Sequence, residues 1–399
     1  MRRLQTRPWL AALVVYALSR VVSTVLLGTM FTVATVNHWA FASHRAHASL
    51  ITFSASWDSS AYKGIAEHGY PTALPVDAAG HVLPNAWAFL PVFPAIVRAL
   101  TTALGLNAVV NGYYTVAVVT ATLFGAGAVL MLSAMLRQRV SNERALFAVV
   151  LFCMGPMGFL LQAAYAESAF LFFLFAALWC LQTSRYLLLV PFAVVAAFTR
   201  PGVLALALTL GIHFVVRIRE RRIGTARFPL RDAVSIGVAA LVTAVAGLAW
   251  PVVASAVTGR SSAYLDTELA FWVGFVGHRH FAPLTPWFAM ATTFLGPVGI
   301  VVVVLALAAA AFWLTRRGTK ALGHEIVGFT ASYWLYLVAV FLPQQSLVRL
   351  LMPAAPMLGS PVFWGPGVAG SRRRRILLVA GAILLQAVAI VFLWFLGYP

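Results

Sequence analysis

Long apolar segments follow one another along almost the whole chain, with only short polar segments between them. Most apolar segments are about 17 to 30 residues long, and about 20 helical residues cross the roughly 30 Å hydrocarbon core of a bilayer. We therefore predict an all-α polytopic membrane protein, with a single integral membrane domain over residues 1–399. About eleven transmembrane helices are expected, near residues 8–36, 108–136, 145–163, 168–184, 186–199, 202–217, 232–257, 287–314, 325–342, 350–368 and 376–396.

Composition agrees with this pattern. Hydrophobic residues make up 62% of the chain and charged residues only 10%, and the mean hydropathy is +0.90, far above that of soluble domains. The first apolar segment is long and is followed by many others, so we expect a retained anchor and not a cleaved signal peptide.

The distribution of positive charge predicts the orientation. If the N-terminus is cytoplasmic, 20 of the 28 Lys and Arg residues fall in cytoplasmic segments, as the positive-inside rule requires. Topology and contact with anionic membrane lipids then account for the net charge of +18. We therefore expect a protein of the cell membrane that binds no nucleic acid.

Two extracytoplasmic loops are large, a first near residues 37–107 and a second near 258–286. We expect the first to carry helices lying at the membrane surface, because residues 90–104 are too few to span and contain Pro91 and Pro94. Most acidic residues and seven of nine histidines fall on this side, which suggests that the chemistry lies there. The histidine spacing matches no metal motif, so we expect no metal site.

Three carboxylates stand in the first loop, at Asp58, Glu67 and Asp77, and the first two share one predicted helix. In a helix over 58–69 they lie on opposite faces, about 13 Å apart along the axis, so they form no paired acid/base site. Lys63 offers Glu67 an ion pair across one helical turn. No basic residue lies one turn from Asp58, so we predict a general base there; helix N-capping is the alternative.

These residues resemble the first luminal loop of PIG-V-type mannosyltransferases. The similar residues are Trp57-Asp58, Tyr62, Ile65-Ala66-Glu67-His68-Gly69-Tyr70 and Phe89-x-Pro91-x-Phe93-Pro94. Further elements follow in the family's order over residues 55–357: Tyr165-Ala-Glu167-Ser168, Thr199-Arg200, and Ser346-x-x-Arg349 with Pro353 and Pro356. The chain departs from the family's pattern at Ser56, Leu90 and Leu350.

The resemblance implies a GT-C-type glycosyltransferase fold and inverting transfer of a sugar, usually mannose, from a polyprenyl-phosphate donor on the extracytoplasmic face. The acceptor is then a lipid or a glycan, and Asp58 takes the place of the family's general base. No cofactor is implied. The same resemblance implies that five further residues bind substrate: Trp57, Tyr62, Glu67, His68 and Tyr70.

The phosphate that leaves needs a cation beside it. Arg200 and Arg349 are the candidates because each lies at the outer end of a span, although snorkelling to the interface is the alternative. Gln345 adds hydrogen-bonding groups beside Arg349. For Glu167, an ion pair with Arg200 and a contact with a sugar hydroxyl both remain open.

Two hypotheses of other classes stay open. One is a transporter or flippase for a lipid-linked or small solute. Transporters carry ionisable groups near the bilayer midplane, and only Arg20 and His213 are placed there by the sequence. The other is a noncatalytic membrane subunit. The sequence leaves the oligomeric state open.

Overall fold

The computed structural model describes residues 7–39, 47–364 and 371–397. This part of the chain contains fourteen α-helices of eight residues or more. They are α1 Pro8–Val36, α2 Asp58–His68, α3 Val92–Ala103, α4 Gly112–Arg137, α5 Asn142–Met154, α6 Glu167–Gln182, α7 Tyr186–Ala197, α8 Leu204–Arg222, α9 Leu230–Thr258, α10 Ala263–Ala270, α11 Pro286–Leu295, α12 Val298–Thr315, α13 His324–Val340 and α14 Ser371–Ala389.

Shorter helical segments join these helices. Single α-turns lie at Leu50–Phe53, Val273–Val276, Arg317–Lys320, Leu347–Leu350 and Pro361–Trp364, 3₁₀ segments at Ala86–Ala88, Gly158–Leu161 and Met352–Gly359, and a π-helix at Ile390–Phe395. The described residues contain no β-strand beyond one isolated bridge between Val76 and Val82. The all-α prediction is confirmed for this part of the chain.

Five helices are long and apolar enough to cross a membrane: α1, α4, α9, α12 and the segment Arg372–Phe395. Less than half of each apolar stretch is buried inside the protein, so lipid must cover the remaining apolar surface. This makes the chain a membrane protein. The number of eleven spans, the orientation and the membrane position of the first loop stay predictions, and residues 40–46 of that loop lie outside the described residues.

Three predicted spans have a different structure. Of residues 145–163, only 145–154 lie in a helix, and Gly158–Leu161 is a separate 3₁₀ segment. Residues 287–314 form two helices, because Gly296 takes a left-handed φ of 59° and Pro297 follows it. Residues 350–364 form no long helix but 3₁₀ and single-turn segments, since Pro353, Pro356 and Pro361 remove backbone donors. The end of that predicted span, residues 365–368, lies outside the described residues.

The chain divides into two compact units. The first contains residues 1–67, 92–182 and 345–399. Its centre is α6, which is apolar on every side and almost wholly buried, and which packs on α4. Polar contacts cross this unit: Tyr16 donates to the carbonyl of Thr122 at 2.7 Å, and Ser23 to Gln386 Oε1 at 2.8 Å.

The second unit contains residues 68–91 and 183–344. Its helices α7, α8, α9 and α13 pack in the pairs α7–α9, α8–α9 and α8–α13. An aromatic cluster of Tyr70, Trp87 and Trp250, with ring centroids 4.7 to 5.2 Å apart, anchors the segment 68–91 on α9. The expectation of one integral membrane domain stays a prediction.

Candidate active site

The loop before α2 has an unusual backbone at Trp57. This residue has φ 56°, in the left-handed region, which costs a bulky L-residue about 1–3 kcal/mol. The indole N–H of Trp57 donates to the carbonyl of Trp394 at 2.8 Å and so holds the turn. Helix α2 then begins at Asp58, where the sequence predicted a helix, and its first carboxylate stands at the helix end that favours negative charge.

A second segment, residues 163–166, fixes the same loop from the side. The N–H of Ala164 donates to the carbonyl of Ser54 at 3.1 Å, and Ser59 Oγ donates to the carbonyl of Ala164 at 2.9 Å. The backbone N–H of Asp58 donates to Tyr165 Oη at 3.2 Å. These three hydrogen bonds join the start of α2 to the segment that precedes α6, and we call the arrangement the loop clamp.

Arg349 connects two carboxylates of the first unit. Its Nη1 lies 2.6 Å from Asp58 Oδ2 and 3.4 Å from Glu167 Oε1. The guanidinium also lies over the ring of Tyr165, 5.4 Å from its centroid. All three charged side chains are largely buried, with exposures of 14% for Arg349, 22% for Asp58 and 3% for Glu167. We call Asp58, Glu167 and Arg349 the charged triad.

Two atoms of the triad have no partner within the described part of the protein. The Nε–H of Arg349 is buried and meets no acceptor there. On Asp58, only Oδ2 is engaged by Arg349, which leaves Oδ1 for another donor. A buried donor and a nearby carboxylate oxygen without protein partners are the groups that a polar ligand would satisfy.

Burial and charge act in opposite directions on Arg349. Burial lowers the pKa of its guanidinium, but the interactions with its neighbours, with the charge of Asp58 first, outweigh that effect, so the pKa lies above its ordinary value. Burial, with the Asp58 charge in second place, raises the pKa of Tyr165 well above its ordinary value. Arg349 therefore stays a cation and Tyr165 a neutral phenol.

The second unit has its own group of ionisable side chains. Burial raises the pKa of Glu268 to about 7, although a hydrogen bond with Tyr264 and the charge of Arg200 both lower it. Glu268 lies on α10 and Arg200 in the turn after α7. Arg200, which the sequence placed beside a leaving phosphate, thus has the charge of Glu268 near it.

The charged triad and the loop clamp stand in a chain whose residues 12–222 match the family model described as Mannosyltransferase (PIG-V), more than half of its length. The chain belongs to the PIG-V mannosyltransferase family. The resemblance drawn from its motifs is confirmed, and sugar transfer is the reaction class of the family. No curated protein is similar enough to the chain to match it. The match includes Asp58, Glu167 and Arg200, while Arg349 lies beyond it.

The structure places the other predicted substrate-binding residues differently. Tyr62 is buried, edge-on to Phe93 at 5.4 Å, and Tyr70 donates to the carbonyl of Phe89 at 2.8 Å. Glu67 forms the expected ion pair with Lys63, at 3.4 Å, and is exposed, as is His68. Gln345 lies beside Gly397. Substrate contact stays a prediction for each of them.

Asp58 has no basic residue one turn away in its own helix, but Arg349 supplies a cation from 291 residues away. For Glu167, the ion pair in the structure is with Arg349, and the pair with Arg200 stays a prediction. Trp272, in the loop near residues 258–286, is buried in a cluster with Val276 and Leu342.

Sequence reasoning missed Tyr165, Trp394 and Glu268 as site residues. Tyr165 belongs to a motif that resembles one of the family, and this motif could have indicated that the residue lies at the site. Trp394 had none, because it looks like an interfacial tryptophan near the end of an apolar segment. Glu268 is one acid of a polar loop, and only its place beside Tyr264 and Arg200 in the fold distinguishes it.

Proposed function

We propose that this protein transfers a sugar, with mannose as the expected one, from a polyprenyl-phosphate donor to a hydroxyl of a lipid or glycan acceptor on the extracytoplasmic face of the cell membrane. The observation that carries the proposal is the charged triad at the start of α2. In a family of mannosyltransferases, it puts a carboxylate with one unengaged oxygen beside a permanent cation.

Asp58 is the general base in this proposal. The acceptor hydroxyl donates its proton to Asp58 Oδ1 while its oxygen attacks the anomeric carbon of the donor. The bond from that carbon to the phosphate oxygen breaks, and its electron pair leaves with the polyprenyl phosphate. Attack from the side opposite the leaving group inverts the anomeric centre, so a β-linked donor gives an α-linked product.

Arg349 has two parts in this step. Its Nη1 fixes the direction of the Asp58 carboxylate through a 2.6 Å contact, and positioning of this kind lowers the barrier. Its buried Nε–H is the group that we assign to an oxygen of the leaving phosphate. Glu167 Oε1 lies 3.4 Å from the same Nη1 and adds a second carboxylate beside the guanidinium. Arg200 is retained as a second candidate for phosphate contact.

The resemblance to PIG-V-type mannosyltransferases implies the donor class, and the composition of the chain agrees with it. A polyprenyl chain dissolves in the bilayer and brings its sugar phosphate to the membrane surface, where an apolar protein with short loops can reach it. The sequence has no phosphate-binding loop of the G-x-x-x-x-G-K-[ST] kind. Polyprenyl-phosphate mannose is therefore favoured over a nucleotide sugar.

The test is transfer by the purified protein in liposomes. Polyprenyl-phosphate mannose with a radiolabelled sugar is supplied with extracted membrane lipids as acceptors, and a GDP-mannose reaction runs in parallel. We expect label in a glycolipid or glycan product only from the polyprenyl donor, and release of that label by α-mannosidase but not by β-mannosidase. A product labelled only from GDP-mannose would overturn the proposed donor. A β-linked product would overturn the proposed inversion at the anomeric carbon.

The same liposomes separate the alternatives. A flippase moves the labelled donor across the bilayer without forming a product, and a noncatalytic subunit does neither. Transbilayer movement without transfer would replace the proposal with the transporter hypothesis.

A further inference from the structure

A second polar cluster lies inside the second unit, where α8 packs on α13. His213 of α8 and His324 of α13 stack with ring centroids 4.9 Å apart, and His213 Nδ1 lies 2.8 Å from His324 Nε2. Glu325 follows on α13, with its Oε1 at 3.7 Å from His324 Nε2. One ligand atom of each residue lies within 4.8 Å of the other two.

The cluster is enclosed by the protein. His213 and Glu325 are only 3% and 4% exposed, and the side chain of His324 is 31% exposed, which leaves one open side. Two imidazoles and a carboxylate gathered at a mostly buried point favour an ion, because a cation offsets the desolvation of the carboxylate.

The spacing of the ligand atoms agrees with a transition metal. Ligand atoms bound to one tetrahedral zinc ion at 2.0–2.1 Å lie about 3.3 Å from each other. His324 Nε2 lies 2.8 Å from His213 Nδ1 and 3.7 Å from Glu325 Oε1, and these two separations lie on either side of that value. The third pair of ligand atoms also lies within 4.8 Å, so adjustment of the side chains would bring three ligands to one ion and leave a fourth position at the open side of His324.

Tyr186 of α7 supplies the outer contact that metal-bound histidines usually have. Its Oη lies 3.2 Å from His213 Nε2, the ring nitrogen that faces away from His324. A hydrogen bond there fixes the ring and leaves Nδ1 directed at the cluster. The nitrogen and oxygen donors suit zinc and related ions, and not calcium or magnesium, which prefer oxygen ligands alone.

We propose that His213, His324 and Glu325 form a binding site for a divalent transition metal ion of the zinc type, which ties α8 to α13. The site lies in the second unit and uses none of the charged triad, so the proposal does not rest on the proposed function. It replaces the expectation of no metal site. Sequence spacing missed it because His213 and His324 stand 111 positions apart.

A second group of possible metal ligands can be compared with this cluster: Asp77, His81 and His278. Its members are more exposed, and Asp77 Oδ1 already accepts the backbone N–H groups of Ala79 and His81 at 2.9 Å and 2.8 Å. That carboxylate closes a local turn, which accounts for its position without an ion. The buried cluster is therefore the one to which we assign the metal.

The test measures zinc in the purified, full-length protein, carried on a tag without histidine. Parent, His324→Ala, Glu325→Gln and the control His278→Ala are each dialysed against a dilute zinc buffer, and bound zinc is counted by mass spectrometry. We expect one zinc per chain in the parent and in His278→Ala, and at least a tenfold loss of affinity in the other two. Co(II) in place of zinc should give the visible absorption of a tetrahedral site.

Each other outcome overturns the proposal. If the parent binds no zinc, His213 and His324 form a hydrogen bond and no metal site. If only His278→Ala loses zinc, the ion binds at the exposed group of Asp77, His81 and His278. The elution profile of each variant distinguishes a loss of zinc binding from a folding defect. Glu325→Gln adds a second check, because it keeps the shape of the side chain. The parent and His278→Ala, but neither of the other two variants, should also gain thermal stability with added zinc, as binding to the folded state requires.

Discussion

Arg349 is the residue on which the charged triad depends, because one of its nitrogens serves both Asp58 and Glu167. Its guanidinium is held between a carboxylate proposed as a base and a deeply buried one. Lysine would keep the charge, but it lacks the Nε–H and the planar fork of donors. The role of Arg349 can therefore be separated into charge and geometry.

Replacing Arg349 tests this role. We expect Arg349→Met to lower transfer by at least about 10²-fold, the usual effect of removing a donor that stabilises developing charge. It should also lower the unfolding temperature, because Glu167 loses its cation. Arg349→Lys should recover stability but only part of the turnover. Transfer assays and thermal scans measure both properties.

A double variant provides the control. Adding Glu167→Gln to Arg349→Met removes the carboxylate that the first change leaves without its cation, so the unfolding temperature should rise while transfer stays low. If Arg349→Met is folded and as active as the parent, Arg349 has no part in the reaction.

Glu268 predicts a pH effect on stability. Burial raises the pKa of this carboxyl from 4.5 to about 7 in the folded protein. Its stabilising contribution is therefore complete below pH 4.5 and is lost as the pH rises through about 7, because the folded state then binds more protons than the unfolded state. The unfolding temperature of Glu268→Gln, measured from pH 5 to 8, should fall less than that of the parent. Equal falls would contradict the assignment.

At the scale of elements, the loop clamp decides where α2 begins. It joins a turn with a left-handed Trp57 to residues 163–166 through three hydrogen bonds. Neither segment would hold its conformation alone, since the turn is strained and the second segment has no long helix of its own. The position of Asp58 therefore depends on a contact between distant parts of the chain.

Ser59→Ala tests the loop clamp. It removes the 2.9 Å hydrogen bond to the carbonyl of Ala164 and leaves that buried carbonyl without its donor, at a cost of about 1–3 kcal/mol. We expect kcat to fall and KM to change little, because Asp58 is misplaced while the binding groups remain. The matched control is Ser60→Ala at the next, exposed position, which should keep the parent's kcat. Equal values in the two variants would show that the clamp does not position the base.

Local elements could be predicted where the cause is local. The bounds of α1 and the helix at Asp58 follow from apolar length and side-chain pattern, and Lys63 pairs with Glu67 at the expected spacing of one turn. The contact of Arg349 with Asp58 could not be predicted, because nothing near Asp58 in the sequence indicates which remote arginine reaches it. The π-helix at Ile390–Phe395, which carries Trp394, has no sequence pattern of its own either.

The whole molecule combines an apolar surface with strongly unequal charge at its loops. The exposed apolar faces of α1, α9 and α12 require lipid around them. Charge alone then predicts which loops face the cytoplasm. The family match supports the reaction class, whereas the side of the membrane on which the reaction occurs depends on this topology.

Cysteine labelling tests the orientation. The native Cys153 and Cys180 are buried, so introduced cysteines give the signal. We expect Ala79→Cys to react with a membrane-impermeant maleimide in intact cells, and Thr225→Cys to react only after permeabilisation, because Thr225 lies in an arginine-rich segment predicted to be cytoplasmic. The reverse pattern would place Asp58 on the cytoplasmic side.

The most direct test of the account is the transfer rate of Asp58→Asn in liposomes with polyprenyl-phosphate mannose. The amide keeps the shape of the side chain but cannot accept the proton of the acceptor. We predict a fall of about 10²–10⁴-fold, as for the loss of a general base, in a protein that still elutes as the parent does. Asp77→Asn, on an exposed loop, should transfer at the parent's rate. Asp58→Asn that is folded and turns over like the parent would contradict the central claim.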